Sequence, residues 1–354
     1  MATKNVDYII VGQGVAGSCL VLQFLLRQKR ILLIDEPHAH AASVVAAGLF
    51  NPITGRQMGK TWMADTLFPY LHQFYRQAET LLQARFFFPM TLYRPFISVE
   101  EQNEWMARST NESYISYLKE VTIRPIFEQF VKNDFGGLLL NQCGYLNTTI
   151  FLKAVRDFVD SNLRVLSEPF IDDELDFTDT GIRYREWRAS KIIFCSGVNI
   201  QTSRYFSWLP IRPLKGETLT IEPQPKPEVI LNRGVYVVPD IWKVGATYNK
   251  EDQLPAITEA GLAELKRGLD ELVNFSYQIT GQEWGFRPTT PDRRPILGPH
   301  PEYEQLVVFN GLGTKGVSLA PYFSDVLVNW LENGAPIDQS VSLNRYKSLY
   351  SKSA

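Results

Sequence analysis

Apolar and polar positions fall into blocks over the first 36 residues, and these blocks predict a strand, a turn, a helix and a second strand. Residues 7–11 form a short apolar run, and glycines follow at positions 12, 14 and 17. Residues 18–28 then place leucines at positions 22, 25 and 26 on one face of a predicted helix. A second apolar run, residues 31–34, ends at Asp35 and Glu36. This order of elements, ending in an acid, is typical of a dinucleotide-binding fold.

The three glycines indicate how such a turn binds a pyrophosphate. Gly12 allows a tight turn, Gly14 lets phosphates approach the backbone, and Gly17 lets the helix pack closely on the sheet. The helix N-terminus offers unpaired N–H groups to the phosphates, and a carboxylate after the second strand accepts from ribose hydroxyls. The motif does not separate FAD from NAD, and a turn without a ligand is the alternative. The residues predicted to contact a dinucleotide here are Gly12, Gly14, Val15, Ala16, Gly17, Asp35 and, as second choice to Asp35, Glu36.

Later apolar runs predict more strands and helices of an α/β fold. Short runs at residues 163–165, 191–195 and 306–310 are predicted to be strands. Helices are predicted near residues 148–160, with Asn147 or Thr148 as the N-cap, and over 317–330, with Pro321 in the first turn. A capping box at Ser98 and Glu101 predicts the start of a further helix.

Composition and charge argue against several classes of protein. The chain has 354 residues, is 45% hydrophobic and 21% charged, and carries a net charge of −2. No block of Lys or Arg advertises a nucleic-acid surface. The three cysteines are far apart, and His38 and His40 have no acid cluster beside them, so neither a disulfide framework nor a metal site is expected. The apolar run at residues 8–26 is interrupted by glycines and is interpreted as a buried strand and helix rather than a signal or membrane segment, so a cytoplasmic protein is expected.

Three segments resemble the glycine oxidase and D-amino-acid oxidase superfamily of FAD-dependent oxidoreductases. The strongest is residues 283–298, where the pattern R-P-x-T-P-D-x-x-P-x-x-G begins at Arg287. The segment SVVAAGLFNP resembles the family's small-residue stretch that runs along the flavin, and GLGTKG after the last strand resembles its second glycine turn. The resemblance implies further cofactor contacts at Ser43, Ala47, Gly48, Leu49, Val165, Ser196, Gly197, Gly311, Gly313, Thr314, Lys315, Gly316 and Val317.

The resemblance also implies the chemistry of the site. Arg287 takes the place of the arginine that binds the substrate carboxylate, and Lys315 adds positive charge beside the flavin's pyrimidine edge. A single non-covalent FAD then needs both glycine turns, one at each end. Glycine-oxidase-like members often carry an arginine where Thr314 stands, so glycine itself is a doubtful substrate. Tyr248 is read as a core residue, with a pocket hydroxyl as the alternative, and Lys215-Gly216 as a structural turn.

We therefore expect a Rossmann-like FAD-binding domain of the glutathione-reductase type, formed by residues 1–75, 142–208 and 284–354. A mixed-sheet substrate domain, residues 76–141 and 209–283, is interleaved with it. The expected reaction oxidises a C–N bond of a small amine or amino acid by hydride transfer to flavin N5, with dioxygen or another carrier as electron acceptor. Two alternatives stay open: oxidation of a carboxymethylaminomethyl group on tRNA uridine, as in the bifunctional enzyme that matures that base, and a nucleotide-binding scaffold without turnover.

Overall fold

Helices and strands alternate along the chain in the computed structural model, which describes residues 3–55, 57–161, 164–223 and 225–350. The helices are α1 (Val15–Leu26), α2 (Ala42–Val45), α3 (Ala64–Leu82), α4 (Val99–Arg108), α5 (Glu112–Ile115), α6 (Thr148–Asp160), α7 (Glu259–Leu272), α8 (Gly316–Asn333) and α9 (Lys347–Tyr350). The strands are β1 (Lys4–Asn5), β2 (Tyr8–Val11), β3 (Ile31–Ile34), β4 (Leu49–Phe50), β5 (Ile53–Thr54), β6 (Gly59–Lys60), β7 (Phe87–Pro89), β8 (Leu92–Pro95), β9 (Leu118–Thr122), β10 (Gly137–Leu140), β11 (Gly144–Leu146), β12 (Val165–Leu166), β13 (Leu175–Thr178), β14 (Gly181–Tyr184), β15 (Trp187–Ala189), β16 (Lys191–Phe194), β17 (Arg212–Pro223), β18 (Ile230–Arg233), β19 (Val235–Val238), β20 (Lys243–Gly245), β21 (Tyr277–Thr289), β22 (Ile296–Pro299) and β23 (Leu306–Asn310).

A six-stranded sheet in the order β12-β3-β2-β16-β23-β22 forms the first core. Its first five strands are parallel, and β22 is antiparallel to β23. Helices α1 and α8 pack on one face of this sheet and strands β13, β14 and β15 pack on the other, which is why β2, β3 and β23 are buried along their whole length. The strands predicted over residues 7–11, 31–34, 191–195 and 306–310 are confirmed as β2, β3, β16 and β23. Of the strand predicted over residues 163–165, Val165 lies in β12, and residue 163 lies outside the described residues. Because the carboxyl ends of parallel strands meet at one edge, the turns after β2, β3, β16 and β23 converge there.

The helices that follow the two glycine turns begin earlier than predicted. The first was expected over residues 18–28 and is α1, because Gly14 is its N-cap and Gly17 lies inside its first turn. The second was expected over residues 317–330 and is α8, so Pro321 lies in its second turn rather than its first. A proline there cannot donate to the carbonyl of Val317, and the buried Tyr75 hydroxyl donates to that carbonyl instead, at 2.9 Å. This bond compensates for the missing helical hydrogen bond.

An eight-stranded mixed sheet in the order β21-β17-β20-β19-β18-β8-β10-β9 forms the second core. Its strands lie within residues 92–140 and 212–289, and α7 packs on one of its faces. Lys215 and Gly216, expected in a turn, lie inside the continuous strand β17. The division into two interleaved domains stays a prediction, and its expected boundary between residues 283 and 284 falls inside β21.

None of the helices in the described part of the chain combines the length and the apolar character that crossing a membrane requires.

Candidate active site

The first glycine turn has the geometry that the sequence predicts. Gly12 has φ +96°, and a Cβ there would lie 2.7 Å from the carbonyl oxygen of Cys195. A Cβ on Gly17 would lie 1.9 Å from the carbonyl oxygen of Gly12, so helix and turn touch at this point. The Ser43 hydroxyl accepts a hydrogen bond from Val15 N at 3.0 Å and thereby covers one N–H of the helix N-terminus. The turn therefore has backbone amides and one hydroxyl that could hold a phosphate.

Asp35 is fixed by two partners that the sequence did not indicate. Its Oδ1 accepts from Gln13 N at 2.7 Å, and its Oδ2 accepts from Arg156 Nη1 at 3.1 Å. Arg156, on α6, also donates to the side-chain oxygen of Gln13 at 2.7 Å. Glu36 is exposed and has His38 at 3.5 Å. Asp35 is therefore the oriented carboxylate at the end of β3, as the sequence favours.

The small-residue segment after α2 forms one wall of a long cleft. Ala47 is buried, and Gly48 has φ +68°. A Cβ on Gly48 would lie 1.8 Å from the carbonyl oxygen of Leu146 in β11, so no other residue fits without a shift of the backbone. Ala41 forms an isolated parallel bridge with Phe286 and so joins this segment to β21. These small side chains therefore line the cleft beside the eight-stranded sheet.

The second glycine turn lies at the same edge of the six-stranded sheet. Gly311 and Gly313 have φ +75° and +56°, and α8 begins three residues after Gly313. The buried Asn310 ties this turn to the one after β16, because its Nδ2 donates to the Gly197 carbonyl oxygen at 2.9 Å. Lys315 Nζ lies 3.2 Å from the hydroxyls of both Thr54 and Thr61. Burial first, and the Arg293 charge second, lower the pKa of Lys315.

Arg287 lies on β21, half-buried at the substrate end of the cleft. Its Nη1 donates to the carbonyl oxygen of Thr247 at 3.2 Å. Among the described residues, no acidic side chain comes within 4 Å of the guanidinium. Burial is the main cause that lowers its pKa, and the phenols of Tyr236 and Tyr248 are its nearest electrostatic partners. The guanidinium lies over Gly216, where a Cβ would be 2.1 Å away.

The segment at Lys215 and Gly216, which was predicted to be a structural turn, is part of strand β17 and makes room for Arg287. Gly216 is the residue of β17 that leaves room for the Arg287 guanidinium. Its neighbour Lys215 is buried and donates to Asp252 at 2.7 Å. Glu217 N donates to the Thr247 hydroxyl at 2.8 Å. These bonds fix the segment that carries Tyr248, which is 50% exposed and lines the cleft. The prediction that Tyr248 is a residue of the hydrophobic core is wrong.

One continuous cleft of about 2760 Å³ joins these features. Pockets for drug-sized ligands are about 300–1,000 Å³, so this one has room for a dinucleotide and a substrate together. Gly17, Val165 and Gly311 do not line it; Gly17 and Gly311 shape the turns, and Val165 pairs with Leu33 in the sheet. The predicted residues that do line it are Gly12, Gly14, Val15, Ala16, Asp35, Glu36, Ser43, Ala47, Gly48, Leu49, Ser196, Gly197, Arg287, Gly313, Thr314, Lys315, Gly316 and Val317.

The three cysteines are buried and free. Burial raises the pKa of each thiol well above its usual range. Cys195 lines the cleft next to the first glycine turn, where a Cβ on Gly17 would be 3.4 Å from its own Cβ. It acts as a small apolar residue at a crowded contact.

Comparisons with known proteins agree with this geometry. The family model "FAD dependent oxidoreductase" (DAO) matches residues 7–330. The bifunctional protein ThiO/ThiG of Trichormus variabilis is 24% identical over 92% of this chain and 52% of its own length. The tRNA 5-methylaminomethyl-2-thiouridine biosynthesis bifunctional protein MnmC of Idiomarina loihiensis is 23% identical over 96% of this chain and 59% of its own length. The chain thus spans little more than half of these relatives.

Solved structures share the fold over their whole length. Glycine oxidase from Geobacillus kaustophilus superposes with a TM-score of 0.79 and 18% identity, covering 97% of this chain and 99% of the other. Iminodiacetate oxidase from Chelativorans sp. BNC1 superposes with a TM-score of 0.72 and 18% identity, covering 96% and 98%. The paired glycine turns, the cleft between them and the match over residues 7–330 lead to one assignment: the chain belongs to the DAO family of FAD-dependent oxidoreductases.

Proposed function

We propose that the chain oxidises the C–N bond of an amino acid, primary or N-substituted, whose carboxylate binds to Arg287. The observation that carries the proposal is the guanidinium itself, which lies in the cleft without an acidic partner among the described residues. A desolvated charge is costly unless it is paired, so this arginine favours an anionic ligand. Its planar fork matches a carboxylate with two parallel hydrogen bonds.

Tyr236 supports the same carboxylate from the neighbouring strands. Burial raises the pKa of Tyr236 to about 12, while the Arg287 charge acts in the opposite direction. The phenol is therefore protonated at neutral pH and is available as a neutral hydrogen-bond donor. Tyr236 in β19 is in register with Gly245 in β20, and Gly245 is in register with Thr218 in β17. These strands place the phenol on the cleft face of the sheet beside Arg287.

The cofactor's residues fit FAD. The first turn would offer amides to a pyrophosphate, Asp35 would accept from a ribose hydroxyl, and the small residues Ala47 and Gly48 would leave room for a flat ring system. FAD, when bound, supplies the two-electron acceptor. The protein would hold the amine's α-carbon in place through its carboxylate. Since a neutral amine can give up hydride without a strong base, orientation is the main task of the chain.

The visible spectrum of the purified protein tests this function. We expect the absorption of oxidised flavin, and bleaching after anaerobic addition of one member of a panel of amino acids and N-substituted amino acids. The same panel with each carboxylate replaced by a carboxamide is the control, and it should not bleach the flavin. Bleaching by amines without a carboxylate would contradict the role of Arg287, and a protein that takes up no FAD would contradict the cofactor.

Replacement of Lys315 by Met should lower the reduction potential of the bound FAD. Lys315 precedes α8, and its positive charge, together with the helix N-terminus, favours a reduced cofactor that carries negative charge. Loss of roughly 1–2 kcal/mol of this stabilisation corresponds to about 20–45 mV for a two-electron couple. Anaerobic dye titration measures the shift. Lys60→Met is the matched control, because Lys60 pairs with Asp65 and does not line the cleft; an unchanged or more positive potential in Lys315→Met would contradict the assignment.

A further inference from the structure

A second arginine, Arg94 in β8, lines the cleft on the same sheet face as Tyr236. Asn232 in β18 is in register with Tyr236, and Leu231 is in register with Tyr93. Arg94 therefore lies level with Asn232, one strand further from Tyr236. Neighbouring strands are about 4.8 Å apart, so the backbones of Arg94 and Tyr236 are separated by about 10 Å. Both side chains line the same cleft.

The charge of Arg94 is poorly compensated. Its closest acid is Glu101, with Oε1 at 3.6 Å from Arg94 Nη2, which is longer than a hydrogen bond. The Nε atom of Arg94 is buried without a hydrogen-bond partner among the described residues. The side chain as a whole is only 11% exposed. A buried guanidinium in this state is costly, and it favours an anion from the cleft.

Glu101 is already committed to other groups. Its Oε2 accepts from Arg233 Nη1 at 2.9 Å and from Ile97 N at 3.0 Å, and Ser98 completes the predicted capping box at the start of α4. Arg233 also donates to the carbonyl oxygen of Pro95, so it anchors this corner of the fold. One carboxylate thus faces two arginines. Arg233 supplies the structural bridge, and it does not line the cleft. Arg94 is therefore the arginine without a full ion-pair partner, and an anion bound in the cleft could supply one.

We propose that Arg94 binds a second carboxylate of the substrate, so that the amine oxidised here is a dicarboxylate. The second carboxylate is carried on the side chain or on the nitrogen substituent of the amino acid. This inference rests on the proposed function, because Arg287 then holds the carboxylate next to the oxidised carbon. Arg94 in β8 and Arg287 in β21 both line the cleft, so the site would select for length as well as charge, since one anion must reach each of them.

Binding of simple carboxylates to the FAD-loaded protein tests the inference without any turnover. Succinate, glutarate and adipate are each titrated against the monocarboxylate of the same carbon number, and the change of the flavin visible spectrum reports binding. We expect one dicarboxylate to bind at least about tenfold more tightly than its partner, because hydrogen bonds to charged groups contribute about that much. Equal affinity for every pair would overturn the proposal. 3-Phosphonopropionate replaces succinate in a further arm, and much tighter binding of the phosphonate would assign the subsite to phosphate instead.

Two arginine variants distinguish a direct role of Arg94 in ligand binding from a role in stabilising the fold. In Arg94→Gln the ratio of dicarboxylate to monocarboxylate affinity should fall to about one. Arg233→Gln keeps Arg94 and the cleft wall but frees Glu101 to pair with Arg94, so its ratio should fall less than that of Arg94→Gln. An equal loss in both variants would show that Arg94 acts through the fold alone. If Arg94→Gln does not fold, the ratio of dicarboxylate to monocarboxylate affinity in the wild-type protein still tests the proposal. If neither class of carboxylate changes the spectrum, the site at Arg287 fails and the second site fails with it.

Discussion

Replacement of Arg287 by Met should weaken the binding of a substrate carboxylate by on the order of 10²-fold or more. Truncating one partner of a buried, hydrogen-bonded charge pair costs about 2–5 kcal/mol. The methionine keeps most of the apolar stem over Gly216 while removing the fork. The expected result is a large rise in the dissociation constant for carboxylate ligands, measured through the flavin spectrum, together with a fall in kcat/KM. The FAD content should stay near the wild-type value, because Arg287 lies at the substrate end of the cleft.

Two controls give this result its meaning. Arg287→Lys keeps the charge but loses the planar fork, so we expect an intermediate loss of affinity. Arg204→Gln removes an exposed arginine that lies 3.4 Å from Asp173 and over the Tyr205 ring and does not line the cleft, and it should leave carboxylate affinity unchanged. A dissociation constant for carboxylates that is the same in Arg287→Met and the wild type would contradict the proposed function, whatever the FAD content.

The sequence was informative where chemistry and local structure coincide. Gly12, Gly17 and Asp35 follow buried strands at fixed offsets, so a run of apolar residues and the next few positions were enough to place them. The same holds for the second turn at Gly311 and for the N-cap Asn147, whose side chain accepts from Ile150 N at 3.1 Å. Each of these features is decided within about ten residues of chain, which is the range over which turn and helix signals act.

Residues that packing brings to the cleft from distant parts of the chain could not be predicted from local sequence patterns. Arg156 reaches Asp35 from α6, Tyr236 is placed by its strand neighbours, and Arg94 comes from a strand more than a hundred residues away along the chain from Tyr236. No local pattern distinguishes these side chains from ordinary charged or aromatic positions. Gly216 was misjudged for the same reason: its requirement comes from the Arg287 side chain on the neighbouring strand, while a glycine after a lysine suggests a turn.

The position of Pro321 shows a third limit. Proline is favoured in the first turn of a helix, and Pro321 was expected there, but it lies in the second turn of α8. In the structure α8 begins five residues before Pro321, so the carbonyl of Val317 lacks its helical hydrogen bond. Tyr75 in α3 donates a hydrogen bond to this carbonyl instead. The compensation comes from a helix some 240 residues earlier in the chain, since Tyr75 and Val317 are 242 positions apart. Local propensity was overridden by packing.

Substitution of Gly17 by Ala should remove both the cofactor and part of the stability. The new Cβ would be placed 1.9 Å from the Gly12 carbonyl oxygen, far inside van der Waals contact. The obstacle is a backbone atom, so relief requires α1 to move away from the turn where we expect the pyrophosphate to bind. Overpacking of this kind costs about 1–3 kcal/mol or more, and we expect a clear fall in Tm with an FAD dissociation constant at least about 100-fold higher. Absorbance of the purified protein and thermal unfolding with and without added FAD measure the two effects.

Variants at Gly14 and Gly281 distinguish a steric clash between helix and turn from the loss of the phosphate-binding site. A Cβ on Gly281 would be 3.7 Å from Thr220, an ordinary contact, so Gly281→Ala should keep both Tm and FAD affinity. A Cβ on Gly14 would be 3.1 Å from the Ser43 hydroxyl, so Gly14→Ala crowds the space in front of the helix N-terminus while helix and turn stay in contact. Gly14→Ala should therefore lose FAD with little change in the stability of the apoprotein, whereas Gly17→Ala loses both. If Gly17→Ala retained wild-type FAD affinity, the turn could not be where the pyrophosphate binds, since the backbone there must have moved.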